Sequence, residues 1–251
     1  MMVSGTPVAP ELLAWLRGRQ DELVELVTRM ATAESPSDVP DSQHDVREII
    51  AGQLESRGFA VRRVPGRNSG GMLHARPAER RHGAPAQMIL GHFDTVWPIG
   101  TLKDMPVEQR GDAMSGPGVY DMKGGIAQAL LALDALAHFG LEPVVAPHLF
   151  FNSDEEIGSR ESRRYIERLA PAMDRVLVLE PSLGPSGRLK TARKGIGRFT
   201  VTVTGEAAHA GLDPGRGASA ILELSHVIQA LFALNDLERG VTVNVGTIDG
   251  G

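Results

Sequence analysis

Six positions in this sequence carry side chains that could do chemistry together: His92, Asp94, Asp121, Glu155, Glu156 and Glu180. The chain has no cysteine. Thiolate ligation and disulfides are therefore excluded, and any metal must be held by imidazole nitrogen and carboxylate oxygen. One imidazole among carboxylates suits a pair of divalent cations. A bridging carboxylate such as Asp121 could hold two ions roughly 3.5–4 Å apart, with His92, Glu156 and Glu180 as further ligands. Asp94 lies two residues after His92, so in extended chain both side chains share a face. It could accept the second imidazole N–H and fix the tautomer. Glu155 is left as a free carboxylate where a metal would acidify a water, placed to take its proton. Each piece also has an ordinary reading. A lone His92 suits a buried, hydrogen-bonded histidine. DEE at 154–156 suits an acidic turn or helix start, the GG of DMKGG close packing at a helix start, and Glu180 a strand end. The conjunction of four segments favours the site.

These residues sit where apolar runs stop. QMILG runs into His92 and Asp94, PHLFFNS into Asp154, Glu155 and Glu156, and RVLVL into Glu180, while Asp121 precedes a helix in GPGVYDMKGG. In open α/β sheets, ligands bind at the carboxyl ends of the strands. FAVRRV, GMLHA, QMILGHFDTV, APHLFFNSDEE and DRVLVLEPS read as strands. Residues 10 to 30, about 42 to 57, MKGGIAQALLALDALAHFG and ESRRYIERLA read as helices. Strands alternating with helices predict an α/β sandwich with a mostly parallel sheet. Continuous apolar runs predict strands covered on both faces. The texture changes after about residue 190. RFTVTVTG and VTVNVGTI alternate as half-exposed strands would, around a helix from about 217 to 234. The expected division is a catalytic part over 1–190 and a small α+β domain over 191–251.

The 251 residues are 42% hydrophobic but only 4% aromatic, so aliphatic side chains must fill the core. A net charge of -5 argues against a nucleic-acid partner. No run is long and apolar enough to span a membrane, and MMVSGTPVAPELLAWLRGRQDE lacks the pattern of a signal peptide. A soluble cytoplasmic protein is expected.

GHFDTVWP, GPGVYDMKGG, DEEIGS and VLVLEPS, in that order, resemble the signature of the aminoacylase and glutamate carboxypeptidase family of metallopeptidases. That family also includes acetylornithine deacetylase and succinyl-diaminopimelate desuccinylase. TGEAAHAGLDPGRGASAI resembles its lid motif. The resemblance implies a two-metal site, zinc first, with cobalt or manganese as alternatives. His92 and Glu180 would bind one ion and Glu156 the other, with Asp121 bridging. Asp94 would orient His92, and Glu155 would be the general base. The Asp121–Met122 peptide would be cis. His209 would stabilise an oxyanion in the neighbouring subunit of a homodimer formed through the lid. The implied reaction is hydrolysis of an amide bond beside a free carboxylate, in a small peptide or an N-acyl amino acid. Family members continue past the lid with a second histidine ligand and groups for the substrate carboxylate. The sequence given stops at Gly251, so a fragment with an incomplete lid, poorly active by itself, is expected, with a non-catalytic dimerisation or binding fragment as the alternative of another class. Arg193 and Lys194 read as surface charges. His44, His74, His82, His138, His148 and His226 match no motif and read as structural.

Overall fold

The apolar periodicity of residues 10 to 30 predicts one helix, and the chain makes two. In the computed structural model, which describes residues 8–79, 83–184 and 186–251, α1 covers Val8–Arg17 and α2 covers Gln20–Thr32. Gly18 interrupts them, its N–H turning back to the carbonyls of Ala14 and Trp15. The opening seven residues and His82 lie outside the described residues.

The next helix, α3, spans His44–Glu55. Strands β1 (Phe59–Val64), β2 (Met72–Pro77) and β3 (Ala86–His92) follow. A short hairpin, β4 (Glu108–Arg110) and β5 (Ala113–Ser115), was not expected from the sequence. Its signal is the two-residue loop Gly111–Asp112, with Gly111 at φ 60°. Then come α4 (Gly124–His138), β6 (Ala146–Asn152), α5 (Arg163–Leu169) and β7 (Arg175–Val178).

The main sheet has the order β1-β2-β6-β3-β7. β3 runs parallel to both β6 and β7, while β2 is antiparallel to β6 and to β1. Only β2 runs against the other four strands. The two-residue alternation of strands sorts the core into two layers. Leu73, Ile89, Leu149 and Phe151 face the cluster built by α2, α3 and α4, where Met30, Ile50, Leu54, Ile126 and Leu130 are fully buried. Their neighbours Met72, Met88 and Phe150 face the other way, onto Tyr165, Ile166 and Leu169 of the α5 region. A central sheet between helical layers is thus formed as expected. β7 departs from the expectation of strands covered on both faces. Among the described residues it pairs only with β3, and Val176, Leu177 and Val178 stand 38–53% exposed. An apolar run specifies burial potential, and an edge position supplies a neighbour on one side only.

The chain divides into two units between Ser182 and Leu183. In the second, α6 covers Ala220–Phe232, and the Ser219 hydroxyl accepts the Leu222 N–H at 3.2 Å as an N-cap. RFTVTVTG and VTVNVGTI, expected as strands, form no ladder. Among the described residues the bridges of this unit are isolated ones, Leu183 with Arg188, Glu206 with Ala218 and Asp236 with Val241. Alternation encodes a two-faced surface but not the partner that a strand requires. Among the described residues, no helix is long and apolar enough to cross a membrane.

Candidate metal centre

His92 is the last residue of β3, and only 1% of it is exposed. Its two ring nitrogens face different surroundings. Nδ1 points back into the protein, 3.1 Å from the Asp94 backbone carbonyl and 3.3 Å from its Oδ1. Nε2 points at carboxylates: Asp121 Oδ1 at 3.1 Å, with Glu155 Oε2 and Glu180 Oε1 each at 3.9 Å. The ligand atoms of His92, Asp121 and Glu180 all lie within 4.8 Å of one another. Glu156 is not in that triad.

Asp94 does more than face the imidazole. Its fully buried carboxylate accepts the Ser37 hydroxyl at 2.6 Å and the N–H groups of Glu155 at 3.3 Å and Glu156 at 3.2 Å. It therefore links the end of β3 to the turn that follows β6. Asp154, beside them in the sequence, plays a structural part, accepting the N–H groups of Glu161 and Ser162. Gln43 fixes the same region by donating to the carbonyls of Pro36 and Ser153.

Asp121 sits in a wide turn over 119–123 that leads into α4, and the backbone departs from helical angles at Asp121 and Met122. The Asp121–Met122 peptide is cis, in line with the expectation drawn from the resemblance. The two glycines after Lys123 are required by packing. A Cβ on Gly125 would lie 2.1 Å from the Leu179 carbonyl oxygen, and one on Gly124 would lie 2.7 Å from that of Val119. The missing side chain lets the start of α4 approach the strand end that carries Glu180.

The electrostatics fit a cation. Burial alone would lower the His92 pKa, but hydrogen bonds to Asp121 and Asp94 and the charges of Asp94 and Glu155 raise it to about 10. Burial pushes the Glu156 carboxyl up to about 7, opposed by His92 and reinforced by Asp121, Asp94 and Glu155. Burial likewise raises Glu155, with Glu180, Asp94 and Asp121 adding to it against His92. Without a metal, the cluster holds protons to offset its crowded negative charge. A divalent ion at Nε2 would replace them, and one nitrogen with several carboxylate oxygens is a ligand set that zinc, cobalt and manganese accept. The residues present fit such an ion.

Lys123 and Ser37 were not singled out in the sequence. The first lay inside DMKGG between two more obvious features. The second lay in a stretch, ESPSDVPDS, that reads only as a helix break. Four of the other described histidines have contacts away from the site. His138 stacks on Trp15 at 5.0 Å, His74 tilts against His148 at 5.7 Å, and exposed His44 faces Asp45. In the second unit, His209 Nδ1 accepts the Gly211 N–H at 3.1 Å.

The chain is similar to known proteins over most of its length. Carboxypeptidase G2 of Pseudomonas sp. (strain RS-16) is 29% identical over 252 residues, covering 96% of this chain and 59% of its own length. Acetylornithine deacetylase of Salmonella arizonae is 29% identical over 248 residues, covering 90% and 61%. The chain thus spans about three fifths of the length of these curated relatives. Among solved structures, a tripeptidase from Staphylococcus aureus superposes with a TM-score of 0.64 at 17% identity, over 92% of this chain and 61% of the other. The di-peptidase Dug1p from Saccharomyces cerevisiae gives 0.62 at 16% identity, over 94% and 56%. The model of Peptidase family M20/M25/M40 matches residues 88–247, a span that runs from β3 through Asp121, Glu155 and Glu180 into the second unit, and the chain belongs to that family.

Proposed function

We propose that this protein is a metal-dependent hydrolase of an amide bond next to a free carboxylate, of the glutamate carboxypeptidase type. The observation that carries the reading is the His92 Nε2 atom turned toward Asp121, Glu180 and Glu155 at the carboxyl end of β3, with Nδ1 anchored behind it. In this reading His92 and Glu180 would hold one ion and Glu156 a second, with Asp121 shared between them and zinc the leading metal. When bound, the ions supply Lewis acidity to the scissile carbonyl and lower the pKa of the attacking water. Glu155 takes a proton from that water and returns it to the leaving amine. Its pKa is raised first by burial and then by neighbouring carboxylates, the direction a base working near neutral pH requires. Asp94 accepts the Glu155 N–H and faces the imidazole Nδ1, so base and ligand share one buried anchor. Residues 191–251 would serve as a lid and pairing surface between two copies, through which His209 reaches the neighbour's site as an oxyanion donor.

A deacylase of N-acyl amino acids is the second reading, because acetylornithine deacetylase stands at the same 29% identity as carboxypeptidase G2. Turnover of the zinc-supplied protein on N-acyl glutamates and on N-acetylornithine separates the two. The shared mechanism is tested by paired variants. Glu155→Gln should reduce turnover by at least about 100-fold while zinc content stays near wild type. Glu156→Gln should lower zinc content. A Glu155→Gln variant as active as wild type would refute the role of the base.

A further inference from the structure

Lys123 is one of the largest fully buried side chains, at 1% exposure, and it sits two residues after Asp121. A buried ammonium is costly unless its hydrogens are accepted. Nζ donates to the carbonyl oxygens of Met30 at 2.9 Å and Ala33 at 3.1 Å. These belong to the last turn and the C-cap of α2, where carbonyls lack helical partners and the helix dipole favours a cation. The stem is enclosed as well. The Lys123 N–H bonds the Gly118 carbonyl at 3.0 Å, and a Cβ on Gly118 would lie 3.2 Å from Lys123 Cδ and 2.8 Å from Thr95 Cγ2.

The segment that receives Lys123 continues directly into the residues that hold the other side of the site. Ser35 Oγ donates to the Phe93 carbonyl at 2.7 Å, Thr95 N–H to the Ser35 carbonyl at 2.9 Å, and Ser37 Oγ to the Asp94 carboxylate. Residues 30–37 thus touch both carriers of the site: the turn bearing Asp121, through Lys123, and the end of β3 bearing His92, through residues 93–95. Nothing in the proposed chemistry uses the lysine itself. Its hydrogen bonds go to backbone carbonyls.

We propose that Lys123 is a positioning residue, a staple between the 119–123 turn and the end of α2 that sets where Asp121 stands relative to His92. This rests on the reading of His92, Asp121 and Glu180 as a metal site. Loss of the staple lets the turn shift, and the metal loses a well-placed ligand while the fold persists. Loss of an outer group that orients a ligand typically costs about 10–100-fold in metal affinity.

The test is Co2+ titration of the purified chain, followed by visible absorption, with unfolding by heat recorded for every variant. Lys123→Met keeps the buried stem and removes the donors. Lys123→Gln keeps an amide head that falls short of the carbonyls, and Lys123→Arg keeps charge and donors. The control is Arg57→Met, which removes a half-buried cation bonded to Asp134 at 2.6 Å and to the Gln53 carbonyl. The expected order of Co2+ affinity is wild type, Arg, Gln, Met, with Met weakened about 10–100-fold and its cobalt band shifted. Arg57→Met should lose thermal stability yet keep wild-type affinity and band. If Lys123→Met does not fold, the Gln and Arg variants carry the same comparison. Folded Lys123 variants with wild-type affinity and an unchanged band would overturn the staple alone. A wild-type chain that takes up no Co2+ would overturn the metal site and the staple with it.

Discussion

At the scale of single residues, the site is a problem of crowded negative charge. Three carboxylates approach the Nε2 atom of one buried histidine, and the imidazole answers by holding its proton up to a pKa of about 10. The pair of charges that matters is therefore proton against metal. With its pKa raised to about 10, His92 holds its proton at pH 7 in the metal-free protein, and burial raises the Glu156 carboxyl to about 7. Metal must displace these protons, since a ligating imidazole is neutral. We expect zinc binding at pH 7 to release about one proton or more, seen in calorimetry as a heat that depends on the buffer's own ionisation enthalpy. A heat independent of buffer would contradict this picture. The candidate ligands were legible in the sequence because each stands at the end of an apolar run or at the start of a helix. The supporting residues were not. Ser37 and Lys123 act through contacts 57 and 90–93 positions away in the chain, and no local pattern announces them.

At the scale of elements, ligand position depends on how closely backbone segments approach. Gly125 is the clearest case, because its α-hydrogen occupies the space where a Cβ would meet the Leu179 carbonyl oxygen at 2.1 Å. Gly125→Ala must therefore push α4 away from the strand end that carries Glu180. We expect it to destabilise the protein by about 1–3 kcal/mol and to weaken zinc binding. Gly52, inside α3, is the counter-example, with nothing within 4 Å of where a Cβ would stand. Gly52→Ala should stabilise by about 0.4–1 kcal/mol with zinc affinity unchanged. Urea unfolding and zinc titration of both variants check the contrast. Equal behaviour of the two would show that the close approach at Gly125 carries no consequence. The strands β1, β2, β3 and β6 were readable from apolar runs, and α3, α4 and α5 from periodicity and their closing residues. The break between α1 and α2 and the β4–β5 hairpin were not, because each turns on one glycine, Gly18 inside a continuous helical periodicity and Gly111 in a stretch with no apolar pattern. The two alternating segments of the second unit carry strand periodicity but no strand partner, so pattern alone overreached there.

At the scale of the whole molecule, stability should depend on pH through a group remote from the site. His74 lies on β2 against His148, and burial first, then the charges of His148, Arg76 and Arg62, lower its pKa from 6.5 to about 4. Between those values the unfolded chain binds a proton that the folded chain does not, so stability falls as pH drops from about 6.5 to 4. Replacing His74 with Leu should flatten that part of the profile. Urea midpoints measured for both proteins across this range decide it, and parallel profiles would refute the assignment. The layered α/β unit was legible as a class because alternation of strand and helix leaves few alternatives. The single reversed strand, β2, was not, since the sign of a strand is set by which neighbour it finds.

His92, Asp121 and Glu180 are proposed to form a metal site. Anomalous diffraction at the zinc absorption edge, from crystals of this chain soaked in zinc, tests it most directly. The expected result is a peak within about 2.0–2.2 Å of His92 Nε2 and of carboxylate oxygens of Asp121 and Glu180. A fully zinc-equilibrated crystal with no peak there, or with His92 bonded to Asp121 and zinc bound elsewhere, would contradict it.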